Sequence, residues 1–485
     1  MNAPEFEQTQ FIQQFINLTR SGYNYLPTDQ HLLELYHEHL KKLKSNFDQL
    51  LLDQGYSGVL IHSGDAPLKF LDDAHYPFKA NPHFINWIPL DRHPQAFLWI
   101  APKETPLLFI FQKNTYWYKL PPAPHGRWCS PFEIVHYSDE EEIYKILERK
   151  FVNGVYLGEC PPSFQKWKFS AYNPESLLKN LNFLRNTKSE YDQACIQIAN
   201  YFAAAAHQQV AELFKSGRCS ELELHYEYLK KLGTREEDTP FDNIIAFNQN
   251  ASLLHYVDSD TTPPSVHSPL HSLLIDAGAK FHGRNSDITR TYAFNPHSEF
   301  AAMISALEKV QQTIISEIKI DTIYPQYHQR AHQLIAQLLI DFKIIQHLNA
   351  EEAVAKKITH TFFPHGLGHA LGIQVHDVGG KTMKNEDVDP KKASEQKQAE
   401  KDHPCLRLIN EVQNGHVFTI EPGVYFIDFL LKELRSKEDG AYSAYINWER
   451  VEKFKKYGGI RIEDNILIKD NKVHNLTRRA FDAIN

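Results

Sequence analysis

The stretch from residue 361 to 380, which reads TFFPHGLGHALGIQVHDVGG, constrains the fold of this chain more than any other. It places His365, His369 and His376 within twelve residues, with glycines between them. Pro364 and these glycines argue against a regular helix at the first two histidines, because Pro and Gly are the poorest helix formers. Glycine also lets the backbone approach a neighbour closely. A histidine here can bind a metal, carry a proton or donate a hydrogen bond to a developing oxyanion.

The chain has 485 residues, which is too many for a single hydrophobic core. We predict an N-terminal extension over residues 1–30, an N-terminal α/β domain over 31–185 and a catalytic α+β domain over 186–485. Strands and helices alternate in the first of these domains, whereas the strand pairs of the second read as antiparallel. Three capping boxes predict helix starts, at Ser138 with Glu141, Thr187 with Glu190 and Ser220 with Glu223. The charge-rich segment from Lys381 to His403 reads as a solvated surface loop.

Composition excludes several classes of protein. The 52 basic and 60 acidic residues give a net charge of -8, and no basic face favours nucleic-acid binding. The N-terminus does not resemble a signal peptide, and no apolar run approaches the ~20 residues that span a bilayer. The cysteines are odd in number and scattered, which predicts free thiols in a reducing cytoplasm rather than a disulfide framework. They are Cys129, Cys160, Cys195, Cys219 and Cys405.

Four acidic residues lie in apolar strands away from the histidine stretch. Asp276 ends the segment LLID and Asp287 precedes ITRTY, so a hairpin would bring the two aspartates face to face. Glu421 stands at a strand end that Pro422-Gly423 stops. Glu463 lies two residues after Arg461 in a strand predicted over 458–468, so both share one face.

Each of these residues has a simpler explanation when it is taken alone. An aspartate at a strand end is commonly a turn or cap residue. Glu463 can form a structural ion pair with Arg461, and His369 can be a hydrogen-bonded core histidine. The set changes this balance, because four carboxylates in apolar strands need compensation that two divalent cations would provide. Carboxylates with one imidazole favour Mn(II), with Co(II) or Zn(II) as alternatives.

The surrounding motifs resemble the pita-bread-fold metallopeptidases, which include methionine aminopeptidase, aminopeptidase P and prolidase. HGLGH, IEPG, RIED and the eleven-residue step from Asp276 to Asp287 carry this resemblance. HGLGHALGIQVHDVGG, GGIRIEDN, FLDDAHYPFKANPHF and IAFNQNASLLHY are most similar to the bacterial Xaa-Pro dipeptidase (prolidase) branch, which is close to the organophosphorus acid anhydrolases. The resemblance covers nearly everything after about residue 31. It implies a C-terminal pita-bread domain and an N-terminal creatinase-like α/β domain that dimerises and caps the active site.

The resemblance also implies a metal-ligand set. Asp287 and Glu463 would bridge two metal ions, Asp276 would bind one of them, and His369 with Glu421 would complete the other. A hydroxide held between the metals would attack the scissile carbonyl, and Glu421 would act as general base and acid.

Further roles follow from the resemblance alone. His365 and His376 would be catalytic residues that hydrogen-bond the substrate and the oxyanion. Arg407 would bind the proline carboxylate, and Asp73 would reach the partner subunit's active site. The other implied residues are His255, Phe241 and Val375, which would bind the substrate, and Arg461, which would orient the carboxylates from behind. Phe241 replaces a tyrosine of anhydrolase-type relatives, which argues against the organophosphate side activity more than against the peptidase activity. The segment from Lys381 to Cys405 departs from the family pattern.

We therefore expect a cytoplasmic, homodimeric, metal-dependent Xaa-Pro dipeptidase with a small peptide as substrate. Three alternatives remain open at this point: an aminopeptidase P acting on longer peptides, a catalytically inactive pita-bread module that binds proteins, and a metal-free creatinase-like enzyme. The intact carboxylate set argues against the last two.

Overall fold

The computed structural model describes residues 30–484 apart from 114, 118, 122, 160–162, 164–166 and 382–389. Nearly all of the predicted extension over residues 1–30 therefore lies outside the described residues. The chain divides into two compact units. The described part of the N-terminal unit comprises residues 30–185 and 189–194, and the C-terminal unit comprises 186–188 and the chain from 195 onwards.

The N-terminal unit is an α/β unit built on one six-stranded sheet of order β4-β3-β2-β1-β5-β6. The β1–β2 and β2–β3 pairs are antiparallel, and the other three pairs are parallel. Its elements are α1 (Gln30–Asp53), β1 (Gly58–His62), α2 (Pro82–Trp87), β2 (Phe97–Ile100), β3 (Leu107–Phe111), β4 (Glu133–Tyr137), α3 (Glu140–Leu147), β5 (Gly154–Leu157), β6 (Ala171–Tyr172) and α4 (Glu175–Leu184).

Hydrophobic spacing explains these elements. In α1 the buried residues Leu33, Tyr36, Leu40, Leu43 and Phe47 recur every three or four positions, which is the period of one helix face. Strands β1, β2 and β5 are buried along their whole length, as expected of central strands covered on both faces.

The C-terminal unit is α+β, and every strand pair in its sheets is antiparallel. Helix α5 (Glu190–Lys215) runs across the division between the units. The other elements are α6 (Glu221–Leu232), β7 (Ile244–Phe247), β8 (Ser272–Asp276), β9 (Lys280–Phe281), β10 (Arg284–Asn285), β11 (Thr289–Ala293), α7 (Glu299–Glu317), α8 (Pro325–Asp341), α9 (Ala350–Ala355), α10 (Thr359–Phe362), α11 (Pro390–Asp402), β12 (Val417–Ile420), β13 (Gly423–Tyr425), α12 (Asp428–Ser436), α13 (Trp448–Lys455), β14 (Gly459–Arg461), β15 (Asp464–Lys469), β16 (Lys472–Asn475) and α14 (Leu476–Ile484).

Two strand arrangements bring the acidic residues near one another. Strand β8 lies between β7 and β11, with Asp276 opposite Thr289, so the β8–β11 pair forms the predicted hairpin. Strand β12 pairs with β15, and β13 pairs with β14. Glu421 stands between β12 and β13, and Glu463 stands between β14 and β15. Each glutamate therefore lies where the polypeptide passes from one sheet into another.

The sequence predicted a single strand over 458–468, and the structure corrects this to two strands in different sheets. The break falls at Ile462 and Glu463, where Ile462 N donates to Pro422 O at 3.3 Å and Glu463 N donates to Thr289 O at 3.1 Å. These hydrogen bonds replace the regular pairing between strands. Contacts with distant residues, rather than local strand propensity, therefore determine where the strand is interrupted.

Two of the three predicted capping boxes are displaced. The cap before α3 is Asp139 with Glu142, and α5 is preceded by Ser189, whose hydroxyl and backbone N–H both donate to Asp192. The third box, Ser220 with Glu223, is confirmed at α6. In both displaced cases a second residue able to cap follows within two positions of the predicted one, and sequence spacing alone does not distinguish them.

The segment predicted as a surface loop over 381–403 is partly helical. Residues 382–389 lie outside the described residues, but α11 occupies Pro390–Asp402. Pro390 opens the helix at its first position, and the segment is rich in the helix formers Ala, Glu, Gln and Lys. Gln396 is buried, and its amide donates to Ile409 O at 3.0 Å, which holds this polar helix against the unit.

Cys129, Cys195, Cys219 and Cys405 are free thiols, as predicted, and Cys160 lies outside the described residues. Among the helices that the structure describes, none combines the length and apolar character required to cross a membrane.

Candidate metal centre and active site

The five predicted ligands converge in the interior of the C-terminal unit. His369 Nε2 lies 3.3 Å from Asp287 Oδ2, 3.5 Å from Glu421 Oε1 and 3.8 Å from Glu463 Oε1. Asp276 joins the cluster beside Asp287, whose carboxylate raises the pKa of Asp276. Two strand ends, two crossovers between sheets and the histidine stretch therefore supply one site from distant parts of the sequence.

The histidine stretch reaches this site as an extended segment, and the expectation that it is not a regular helix is confirmed. Helix α10 ends at Phe362, and the following backbone lies beside β12, with Thr419 N donating to His369 O at 2.9 Å. A Cβ at Gly368 would stand 2.1 Å from Thr419 O and 2.3 Å from the Tyr324 hydroxyl oxygen. Only glycine fits at this approach, which sets the position of His369.

Hydroxyl and amide groups support the carboxylates. Thr289 Oγ1 donates to Glu463 Oε2 at 2.7 Å, and Thr419 Oγ1 donates to Glu421 Oε1 at 3.2 Å. These residues were missed by sequence reasoning, although a period-two signal was available. Thr289 and Thr419 each lie two positions from a predicted ligand, and alternate residues of a strand share a face.

Arg461 is buried directly behind the carboxylates. Its guanidinium forms an ion pair with Asp276 Oδ2 at 2.6 Å and donates to Thr289 Oγ1 at 3.1 Å and to the Tyr425 hydroxyl at 2.8 Å. The ion pair with Glu463 that the sequence allowed is thus replaced by one with Asp276. Arg461 reaches Glu463 through the hydroxyl of Thr289.

The crowding of carboxylates dominates the electrostatics of the cluster. Burial raises the pKa of Asp276 to about 6, with Arg461 opposing and Asp287 adding to the shift. Burial raises the pKa of Glu421 to about 7, and burial with three neighbouring carboxylates raises the pKa of Glu463 well above its usual range. Burial lowers the pKa of His369, but the neighbouring carboxylates of Asp287 and Glu421 outweigh burial, so the pKa of His369 is raised overall.

These residues fit divalent cations. Asp276 Oδ1 and Asp287 Oδ1 are buried without a hydrogen-bond partner among the described residues, which leaves two ligand oxygens directed into the cluster. Asp287, His369 and Glu463 offer ligand atoms within 4.8 Å of one another. Four carboxylates and one imidazole form an oxygen-rich donor set, Arg461 offsets one of the four negative charges, and cations would restore the charged carboxylates that burial disfavours.

His365 lies beside this cluster and is already engaged at both ring nitrogens. Its Nδ1 lies 2.8 Å from Gly366 O, which can only accept, so Nδ1 carries the proton and Nε2 accepts from the Tyr425 hydroxyl at 2.9 Å. Burial lowers the pKa of His365 to about 3, so the ring is neutral. A hydrogen bond from His365 to a substrate would have to replace the one to Gly366.

His376 is exposed at the mouth of the cluster. Its ring stands perpendicular to that of His369, with centroids 4.5 Å apart. Burial of its inner face lowers the pKa of His376 to about 3, and the nearby charges of His369, Arg407 and His255 add to this effect. His255 and Arg407 are both exposed and lie within electrostatic range of His376, and their roles toward a substrate stay predictions.

Three predicted residues have weaker connections to the cluster. Phe241 lies close to Gly278, two residues beyond Asp276, where a Cβ would meet its ring at 3.2 Å. Val375 is half-buried next to His376. Asp73 is exposed in the N-terminal unit, and its predicted role toward a partner subunit stays a prediction.

The fold and this cluster define a protein built to hold divalent cations among buried carboxylates. Comparison of the sequence with known proteins supports this conclusion. A family model described as "Metallopeptidase family M24" matches residues 194–470, and one described as "Xaa-Pro dipeptidase, N-terminal domain" matches residues 34–183. Xaa-Pro dipeptidase from Pseudoalteromonas translucida is 39% identical over 92% of this chain and 98% of its own length, and that from Sodalis glossinidius is 40% identical over 92% and 98%.

Solved structures with the same fold include zinc-substituted E. coli aminopeptidase P in complex with product, with a TM-score of 0.66 at 18% identity, covering 93% of this chain and 98% of that one. Proline aminopeptidase P II from Yersinia pestis gives a TM-score of 0.65 at 19% identity, covering 92% and 96%. The chain belongs to metallopeptidase family M24. It is a metallopeptidase, and its family implies divalent metal ions and a small peptide substrate.

Proposed function

We propose that this chain hydrolyses Xaa-Pro dipeptides at the centre formed by the five converging ligands, within a catalytic domain over residues 186–485. The observation that carries the substrate assignment is the 38–40% identity to Xaa-Pro dipeptidases over more than nine tenths of the chain. The E. coli and Yersinia aminopeptidases P share the fold at 18–19% identity, which supports the architecture and leaves the substrate assignment with the dipeptidases.

Each residue of the centre has a part in this reaction. Asp276, Asp287, His369, Glu421 and Glu463 would hold two divalent cations, and Mn(II) would suit the oxygen-rich ligand set best, with Co(II) or Zn(II) as alternatives. When bound, such cations polarise the scissile carbonyl and lower the pKa of a water molecule. Glu421 accepts the proton of the attacking water and returns it to the proline nitrogen as the C–N bond breaks.

Two side chains at the mouth of the centre recognise the substrate. Neutral His376 donates a hydrogen bond to the carbonyl oxygen as it gains negative charge. Arg407 binds the carboxylate of the C-terminal proline through its planar fork of N–H donors. This contact requires a free carboxylate immediately after proline, which limits substrates to dipeptides.

His365 and Arg461 position the groups that react. The hydrogen-bonded chain from Arg461 through Tyr425 to His365 fixes the orientation of the imidazole beside Glu421, whose Oε2 lies 3.7 Å from His365 Nδ1. His255 lines the same mouth.

The decisive experiment compares hydrolysis of Xaa-Pro dipeptides with that of matched Xaa-Pro-Xaa tripeptides after loading with Mn(II), Co(II) or Zn(II), with elemental analysis of the same samples. We expect fast dipeptide cleavage, slow tripeptide cleavage and two bound metal ions per chain at the centre. Equal rates on tripeptides would instead support an aminopeptidase P. A protein that binds no metal and cleaves neither substrate would be an inactive binding module.

We further propose a cytoplasmic homodimer in which Asp73 reaches the active site of the partner subunit. Sedimentation velocity tests the oligomeric state. Mixing an Asp73→Ala protein with a Glu421→Ala protein tests the shared site, because mixed dimers would recover activity at one of their two sites. A monomer that is fully active would refute this proposal.

Phe241 lacks the hydroxyl that anhydrolase-type relatives carry, so organophosphate hydrolysis is expected to be weak beside dipeptide hydrolysis.

A further inference from the structure

A second cluster of potential metal ligands lies apart from the carboxylate centre. His328 and His332 stand four residues apart on α8 and share one face of that helix, and His403 follows α11. The ring nitrogens of all three lie within 4.8 Å of one another. His328 and His332 are buried, and the ring of Phe363 stands between them and His365, with centroid distances of 5.6, 5.1 and 4.9 Å respectively.

The distances match those of a tetrahedral metal site. His328 Nε2 lies 3.2 Å from His403 Nδ1 and 3.3 Å from His332 Nε2. Two imidazole nitrogens bound to one tetrahedral Zn(II) at about 2.05 Å stand roughly 3.3 Å apart. The observed spacing therefore leaves room for a cation of this size between the rings.

Hydrogen bonding among the three rings leaves one contact unsatisfied. A neutral imidazole nitrogen carries either one proton or one lone pair in the plane of the ring. His328 Nε2 faces two other ring nitrogens and can complete a hydrogen bond with only one of them. A single proton or lone pair at His328 Nε2 would have to be shared between both contacts, whereas a cation accepts a lone pair from every ring.

The surroundings also suit metal ligands. The Thr359 hydroxyl lies 2.9 Å from His332 Nδ1, and an N–H donated there leaves the Nε2 lone pair free for a metal. The His360 ring stacks on His332 and His403, at centroid distances of 4.4 and 5.7 Å, and fixes their planes. Burial, followed by neighbouring histidines or the nearby Lys357, lowers the pKa of His328, His332 and His360, so these rings are in the deprotonated form that metal binding requires.

We propose that His328, His332 and His403 form a second metal site, which takes a Zn(II)-class cation in a three-imidazole tetrahedral geometry with water as the fourth ligand. Three neutral nitrogen donors favour Zn(II) or Co(II) over the harder Mn(II) that suits the carboxylate centre. The bound cation would tie α8 to the segment after α11. Arg407 lies four residues beyond His403, so the site would also anchor the segment that presents this arginine.

The test compares wild-type protein with His403→Gln, which removes the half-buried ligand, and with His360→Gln, which removes a stacked neighbour that is not a ligand. Each protein is stripped of metal, dialysed against excess Zn(II), freed of unbound ion and analysed for zinc per chain. We expect His403→Gln to hold one zinc fewer than wild type and His360→Gln to match wild type. Equal zinc contents of wild type and His403→Gln would overturn the proposal.

A second measurement keeps the test informative if His403→Gln folds poorly. Circular dichroism and urea unfolding without added metal first report whether each variant is folded, independently of any effect on Arg407. Wild-type protein is then reconstituted with Co(II). A tetrahedral nitrogen site gives intense visible absorption, unlike the oxygen-rich centre, and absence of that absorption at saturating Co(II) would refute the site.

Discussion

Substitution of Gly368 by alanine tests whether close backbone approach positions His369. The new Cβ would lie 2.1 Å from Thr419 O, and 3.4 Å is the lower limit of ordinary contact. The histidine stretch and β12 must therefore separate by about 1.3 Å. Because a displacement of ~1 Å in catalytic groups costs on the order of 100-fold in rate, we expect kcat/KM for an Xaa-Pro dipeptide to fall by at least about 100-fold.

The same displacement lowers stability by an amount that the structure lets us estimate. The two neighbours of Gly368, Leu367 and His369, take part in three hydrogen bonds with the other moving segment: Glu421 N to Leu367 O at 2.8 Å, Thr419 N to His369 O at 2.9 Å, and His369 N to Thr419 Oγ1 at 3.1 Å. At ~1 kcal/mol each, their loss lowers the free energy of unfolding by about 3 kcal/mol, measured in urea without added metal.

Gly366→Ala is the matched control, because the same substitution two residues earlier meets its nearest atoms at 3.0 Å. A shift of a few tenths of an ångström relieves that contact, so we expect a loss of about 1 kcal/mol and a much smaller change in kcat/KM. Similar effects of the two substitutions, or full activity of Gly368→Ala, would show that close approach at Gly368 does not position the metal ligand.

Three further predictions use the same assays. Glu421→Ala should lower kcat by about 100- to 10,000-fold, because it deletes a proton carrier. Elemental analysis should show one metal ion fewer at the centre, because the substitution also deletes a ligand. An unchanged rate and metal content would show that Glu421 has neither role. Arg407→Ala should raise KM for dipeptides by about 10- to 100-fold and reduce the preference for dipeptides over tripeptides. An unchanged KM would show that Arg407 does not bind the proline carboxylate. Ser220→Ala should lower the free energy of unfolding by about 1 kcal/mol through loss of the α6 cap while kinetics stay unchanged, and an equally stable variant would contradict the capping role.

Local patterns in the sequence were sufficient to predict several of the strands that carry the candidate ligands. Val417–Ile420, for example, is a short apolar run ended by Glu421 and Pro422, and it forms a strand within those limits. The glycines and proline of the histidine stretch likewise predicted that His365 and His369 do not lie in a regular helix. In both cases the determining forces act between residues that are close in the chain.

The errors arose where distant contacts decide the structure. The break at Glu463 depends on partners in β12, β13 and β11, which sequence periodicity does not encode. Helix α11 was missed because its polar composition resembles that of a solvated loop, and only Gln396 and Ala399 of its residues are buried. The contacts of Arg461 with Asp276 and Tyr425 were also invisible, because spacing suggested Glu463 as the nearer partner.

The order of the candidate ligands along the chain has a consequence for synthesis on the ribosome. The hydrogen bond from Thr289 to Glu463 joins residues 174 positions apart. At translation rates of about 5–20 residues per second, the first aspartates of the centre emerge roughly 9–35 s before the glutamate that completes it. During that interval the nascent chain exposes carboxylates without their final partner. The carboxylate centre is therefore complete only after Glu463 has been synthesised, and a cation that arrived earlier would meet an incomplete ligand set.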